Sequence, residues 1–228
     1  MDGSFGVDEA GRGPVLGSLF VACVRADPAA LPADIGDSKR LSPGRRETLT
    51  AELHADDRIA IATREVTPTE IDAPDTDLNA LTIEAAGAAI DSVASAGVDT
   101  GTAADGTTAD GPAGVVDACD ADAERFGRRV REATTADVEI TAEHGADGAY
   151  DLVGAASVVA KVARDAHVAA LADEHGPVGS GYPSDPTTRE FLARYVREHG
   201  DLPSFARRSW KTSREALAAA EQSALMEF

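Results

Sequence analysis

Two adjacent carboxylates, Asp8 and Glu9, stand where the apolar run Phe5-Gly6-Val7 gives way to the glycine turn Ala10-Gly11-Arg12-Gly13-Pro14. Asp117 closes the apolar pair Val115-Val116. Asp147 follows another β-rich run and precedes a long helical stretch. Carboxylates at the ends of different strands can converge on one edge of a sheet, where open α/β folds place their ligands. Such a cluster repels itself and raises its own proton affinity unless cations intervene, so it points to Mg²⁺ or Mn²⁺ held by hard oxygen donors. Neighbouring strand residues face opposite sides. Asp8 and Glu9 can therefore share a metal site only if the chain leaves regular β geometry at Glu9, a departure the glycine turn is expected to supply. With 40 acids in the chain, chance proximity is the competing explanation.

The turn itself, GRGPVLG, misses the dinucleotide fingerprint G-x-G-x-x-G by one position, and no helical pattern follows it to supply a phosphate-binding N-terminus. A better use for Gly11, Arg12 and Gly13 is close backbone approach to a sugar-phosphate, where main-chain groups can bond a 2′-hydroxyl, the group that separates RNA from DNA. Further on, Gly179-Ser-Gly-Tyr-Pro-Ser-Asp185 holds Tyr182 in a rigid turn. Its ring either stacks on a sugar or base, as in nucleic-acid grooves, or plugs the end of the core.

Short β-rich runs at Ser4 to Val7, Ser18 to Val24 and Ile59 to Val66 read as strands, as do Val115-Val116 and the region from Val138 to Ile140. Helical patterns cover Leu78 to Ala94, Asp122 to Ala133, Leu152 to Ala172, Pro186 to Glu198 behind an Asp185 cap, and Arg214 to Leu225. Alternating strands and helices imply an α/β sandwich. The stretch 96–114, rich in Gly, Ala, Thr and Asp, has the composition of a flexible surface insert. No apolar run is long enough for a membrane helix and no signal pattern opens the chain, so a cytosolic protein with one catalytic domain is expected. Cys23 and Cys119 lie far from the spacing of a zinc site and read as buried free thiols.

Net charge is −19, with only 21 Lys and Arg against the 40 acids. That opposes polyanion binding, which leans on phosphate neutralisation by cations. Molar salt would screen the self-repulsion of such a surface to within about 3 Å, which suggests a salt-rich cytoplasm. The cations are also unevenly placed. The segment from Arg189 to Arg214 holds seven against three acids, and Lys39, Arg40, Arg45 and Arg46 form a second group; both are either phosphate-gripping surfaces or simply solvated helix faces.

Five blocks, VDEAGRGPVLG, DSKRLSP from Asp37, VDACDADAERF around Asp117, HGAD…AASVVAKVARD from His144 and GSGYPSDPTT from Gly179, resemble in order the motifs of the ribonuclease HII family, over nearly the whole chain except the insert. The resemblance implies a ribonuclease H-like fold, a mixed β-sheet flanked by helices with a helical C-terminal region. It implies Asp8, Glu9, Asp117 and Asp147 as the metal-binding carboxylates of a two-metal endoribonuclease. It further implies that Gly11, Arg12 and Gly13 read the 2′-hydroxyl and flanking phosphate, that Tyr182 packs on the sugar at an RNA–DNA junction, and that Lys39 contacts a phosphate. The substrates would be RNA–DNA hybrids and DNA duplexes carrying embedded ribonucleotides, cut on their 5′ side to leave 5′-phosphate and 3′-hydroxyl ends. GAYDLV, after Asp147, departs from the family pattern and includes a second candidate, Asp151. The related ribonuclease HIII carries an extra N-terminal substrate-binding domain, which is not expected here with the first carboxylate at residue 8.

The expected organisation is a catalytic domain over 1–213, with a substrate-gripping helical region at about 186–213, and a C-terminal helix and tail over 214–228. In that tail Gln222, Leu225 and Phe228 have the spacing of a sliding-clamp-binding peptide, with one terminal aromatic instead of two; a frayed end is the alternative. The chain is expected to act as a monomer. Competing functional readings are another two-metal nuclease of the same fold and a non-catalytic hybrid-binding protein.

Overall fold

The computed structural model describes residues 4–35, 41–96 and 112–226, with side chains described as far as Gln222. Five strands, β1 (Ser4–Ala10), β2 (Leu19–Ala26), β3 (Ala60–Val66), β4 (Ala113–Asp117) and β5 (Glu139–Glu143), form one sheet in the order β3-β2-β1-β4-β5. β1 pairs antiparallel with β2 and parallel with β4, and β4 pairs parallel with β5. The helices are α1 (Pro43–Ala55), α2 (Pro68–Ile71), α3 (Leu78–Ser95), α4 (Ala123–Ala133), α5 (Asp151–His175), α6 (Pro186–His199) and α7 (Lys211–Met226). This is the mixed, helix-flanked α/β sheet expected of a ribonuclease H-like fold. Among the described residues no helix is long and apolar enough to cross a membrane.

The chain divides into two compact units. One comprises Met1–Ala10, Phe20–Glu65 and Asn79–Ala163, and the other Gly11–Leu19, Val66–Leu78 and Arg164–Phe228. In the first, Ala22, Val24 and Ala26 of β2 pack with Leu49 and Leu53 of α1 and with Leu152, Ala155, Ala156 and Val159 of α5. The small residues of α5 let its backbone lie close to the sheet. Gly6 completes that approach, since a Cβ there would collide with the main chain of Leu152 and Val153. In the second unit Val15, Leu16 and Val178 pack with Phe191, Leu192 and Val196 of α6 and with Leu202, Phe205 and Ala206. Asp185 caps α6 by accepting from Thr187 N at 2.9 Å, ahead of a helix-starting Pro186.

Four local expectations differ from what is observed. β1 does not end before its acids: Asp8 pairs with Ala22, Glu9 with Val21 and Ala10 with Phe20, so the antiparallel ladder holds Glu9 in regular β geometry. β4 begins at Ala113, inside the stretch that composition assigned to the insert, because Gly114 lies directly against the Phe5 ring. β5 runs on to Glu143, and α7 starts at Lys211. α1 was not anticipated; Ser42 caps it through Arg45 N, with Pro43 at its first position.

Candidate active site

The C-terminal ends of β1 and β4, and the turn after β5, bring Asp8, Asp117 and Asp147 together. One oxygen from each lies within 4.8 Å of the others. Asp8 and Asp147 are only 6% and 3% exposed. The turn depends on Asp117, whose Oδ1 accepts from the amides of Gly145 (2.8 Å) and Ala146 (3.2 Å). Gly145 adopts φ 67°, the left-handed conformation that favours glycine. The short 3₁₀ turn Ala146–Gly148 that follows carries Asp147. One carboxylate therefore positions the loop that delivers another.

Burial pushes the Asp8 carboxyl up from its ordinary 3.8 to about 6; hydrogen bonds from Ser157 and the Glu9 amide oppose the rise, the Asp117 charge adds to it, and Lys161 opposes it. The Glu9 amide donates to Asp8 Oδ1 at 2.7 Å. Behind Asp8, Lys161 Nζ donates to the fully buried Ser157 hydroxyl. Ionised carboxylates 4–5 Å apart repel by about 3–4 kcal/mol per pair at an effective dielectric of 20. An all-oxygen, largely buried and self-repelling donor set fits a hard divalent cation of the Mg²⁺ or Mn²⁺ type. Glu9 is not among the three, in keeping with its place on the opposite side of a regular strand. Asp151, at the start of α5, is exposed.

The second unit contains Gly11, Arg12, Gly13 and Tyr182. Tyr182 is 40% exposed and does not plug the core. A Cβ on Gly13 would sit 3.3 Å from Tyr182 Cε1, so the ring lies beside that glycine. The Arg164 guanidinium is 5.2 Å from the ring centroid, and Arg164 also donates to Ser180 O. Val15 and Leu16 donate to Gly181 O at 2.8 and 3.2 Å, which ties the two glycine turns together. Arg207, counted with the basic segment in the sequence, is fully buried and faces no solvent phosphate. Lys39 and Phe228 lie outside the described residues, as does the side chain of Leu225; Gln222 is exposed on α7.

A family model described as Ribonuclease HII matches residues 5–213. The chain belongs to the ribonuclease HII family. A ribonuclease HII from Halobacterium salinarum is 58% identical over 98% of this chain and 99% of its own length, and one from Haloarcula marismortui is 57% identical over the same shares. Both sources are halophilic archaea. The crystal structure of the ribonuclease H2 from Pyrococcus horikoshii superposes with a TM-score of 0.82 at 34% identity, covering 96% of this chain and 99% of that one. A ribonuclease HII from Archaeoglobus fulgidus, solved in complex with PCNA, gives 0.78 at 34% identity, covering 93% and 96%. As a member of that family, the chain is an endoribonuclease of the ribonuclease H2 type.

Ser157 and Lys161 were missed as supports of Asp8, although their i, i+4 spacing on an apolar helix was a usable signal. Asp72 was missed too. It accepts from Arg208 N (2.6 Å) and Ser209 N (3.0 Å) and so fixes the segment behind the glycine turn. No local pattern marks that contact.

Proposed function

We propose that this ribonuclease HII hydrolyses the RNA strand of RNA–DNA hybrids and incises DNA duplexes on the 5′ side of embedded ribonucleotides, leaving 5′-phosphate and 3′-hydroxyl ends. The observation that carries the proposal is the convergence of Asp8, Asp117 and Asp147 within 4.8 Å in a largely buried site. When bound there, a pair of Mg²⁺ or Mn²⁺ ions would activate water for in-line attack on the phosphate and stabilise the leaving 3′-oxygen. The chain's own residues set that up. Ser157 and Lys161 orient Asp8, while Asp117 holds the turn that presents Asp147. Glu9 is proposed as a peripheral fourth carboxylate that joins the site only if metal binding draws β1 out of its regular geometry at that residue. Gly11, Arg12, Gly13 and Tyr182 are assigned to the ribose, and Lys39 to a phosphate. The test is a duplex containing one ribonucleotide, beside an all-DNA duplex of the same sequence. Cutting of the first alone, on the 5′ side of the ribonucleotide, is expected; equal cutting of both would refute ribose recognition.

A sliding clamp is the proposed partner, held by Gln222, Leu225 and Phe228. The support is the Q-x-x-L-x-x-F spacing together with the Archaeoglobus relative solved with PCNA. In that mode a single helical turn seats its apolar residues in a groove. Deleting 222–228 is expected to abolish retention on an immobilised clamp. Retention of the truncated protein would remove the tail from the interface.

A further inference from the structure

Arg207 carries a charge into a fully buried position, and its hydrogen bonds run to main-chain carbonyls. Nε donates to Gly17 O at 3.0 Å, Nη1 to Arg12 O at 2.8 Å and Nη2 to Gly11 O at 2.6 Å. Burial lowers its pKa to about 10, which leaves it charged at neutral pH. The guanidinium lies 4.9 Å from the centre of the Trp210 ring, and Trp210 Nε1 donates to Gly13 O at 3.2 Å. Three successive carbonyls, those of Gly11, Arg12 and Gly13, thus accept from two side chains of one short segment. That segment is itself anchored: Arg207 N donates to Val15 O at 2.9 Å, and Gly17 N to Phe205 O at 2.8 Å.

A trans peptide sets its C=O and the following N–H on opposite sides. Holding the Gly11 and Arg12 carbonyls on Arg207 therefore turns the amides of Arg12 and Gly13 to the other side of the loop. Adjacent amides turned one way form a concavity suited to an oxygen acceptor. Gly11 adopts φ 99°, a conformation that glycine allows and a side chain would resist. Three separate nitrogens of a rigid, planar fork each reach a carbonyl, whereas the three donors of an ammonium all leave one atom.

We infer that Arg207, assisted by Trp210, is the positioning residue for ribonucleotide discrimination. It touches no substrate atom and acts by fixing the direction in which the Arg12 and Gly13 amides face. The inference rests on the proposed reading that the Gly11–Gly13 loop contacts the ribose.

The experiment uses the full chain in high KCl, with two duplexes that differ by one 2′-hydroxyl. Metal-free dissociation constants are measured for both, and kcat and KM for the ribonucleotide-containing one. Arg207→Lys keeps the charge and loses the fork; Trp210→Phe keeps the ring over Arg207 and loses only the Nε1 donor. Arg207→Lys should lower the binding preference for the ribonucleotide duplex about tenfold, the worth of one well-oriented hydrogen bond, and raise KM more than it lowers kcat. Trp210→Phe should shift the same two quantities in the same direction by less. A role confined to stability would instead lower the active fraction at unchanged preference and KM, and that result in the folded variants overturns the inference. If Arg207→Lys does not fold, Trp210→Phe decides. If the wild type binds both duplexes equally, the reading of the Gly11–Gly13 loop has failed, and the inference falls with it.

Discussion

Asp8→Asn is expected to abolish cleavage while making the metal-free protein more stable at neutral pH. The two effects share one cause. Asp8 is 6% exposed and lies beside Asp117 and Asp147, so its negative charge is costly until a cation binds. Burial raises its pKa from 3.8 to about 6, and between these values the folded protein holds a proton that the unfolded chain has released. Stability should therefore fall as pH rises through roughly 4 to 6, and the whole penalty stands above that window. Asparagine removes it. A shift of this size corresponds to about 1–3 kcal/mol, or about 3–10 °C in the melting midpoint for a chain of this length. The difference between variant and wild type should vanish near pH 4 and shrink when Mg²⁺ or Mn²⁺ is added. Turnover at saturating metal should drop on the order of 1000-fold, the loss of several kcal/mol of transition-state stabilisation. Glu9→Gln, outside the close cluster, should cost less. Melting curves with chelator at several pH values, set beside cleavage rates, check both halves; a destabilised Asp8→Asn protein at neutral pH would contradict the assignment.

Dilution from about 1 M KCl to about 0.1 M is expected to destabilise the protein strongly, because it lengthens the screening distance from about 3 Å to about 10 Å. A net charge of −19 then repels itself across the surface. Several visible ion pairs offer little compensation. Arg45 with Asp34, Arg128 with Glu124 and Lys211 with Glu215 are all substantially exposed, and such pairs contribute about 0–1 kcal/mol each. A loss of about 3 kcal/mol would lower the melting midpoint by on the order of 10 °C. Thermal unfolding across a KCl series measures this directly. An unchanged midpoint would mean that the acidic surface is compatible with dilute buffer.

The parts of this architecture legible in the sequence are those governed by local chemistry. Asp185 before Pro186 marked the start of α6, and the alanine-rich pattern after Leu152 marked α5, since capping and periodicity are short-range. Asp8 and Asp117 were legible from apolar runs that stop at an acid, and Asp147 from its place between a strand and the long helix; the structure brings those three together. The backbone at Glu9 was misjudged because strand pairing is not local: the register with β2 keeps Glu9 opposite Val21 and in the ladder. Gly114 looked like loop for the same reason, its role being set by the Phe5 ring on another strand. Arg207 sits next to Arg208 in a basic run, yet one is buried on three carbonyls and the other pairs with Asp201 at the surface. Only tertiary burial separates two adjacent arginines of that kind.

The most direct test compares wild type with Asp117→Asn on a DNA duplex carrying one ribonucleotide, in high KCl with Mg²⁺ or Mn²⁺. The side-chain amide introduced by this substitution keeps one oxygen that could still accept from Gly145 and Ala146 and hold the turn in place, so the change removes charge rather than scaffold. Incision on the 5′ side of the ribonucleotide by the wild type, lost in a variant that remains folded, is the predicted result. Incision that persists in folded Asp117→Asn would contradict the carboxylate site on which the account is built.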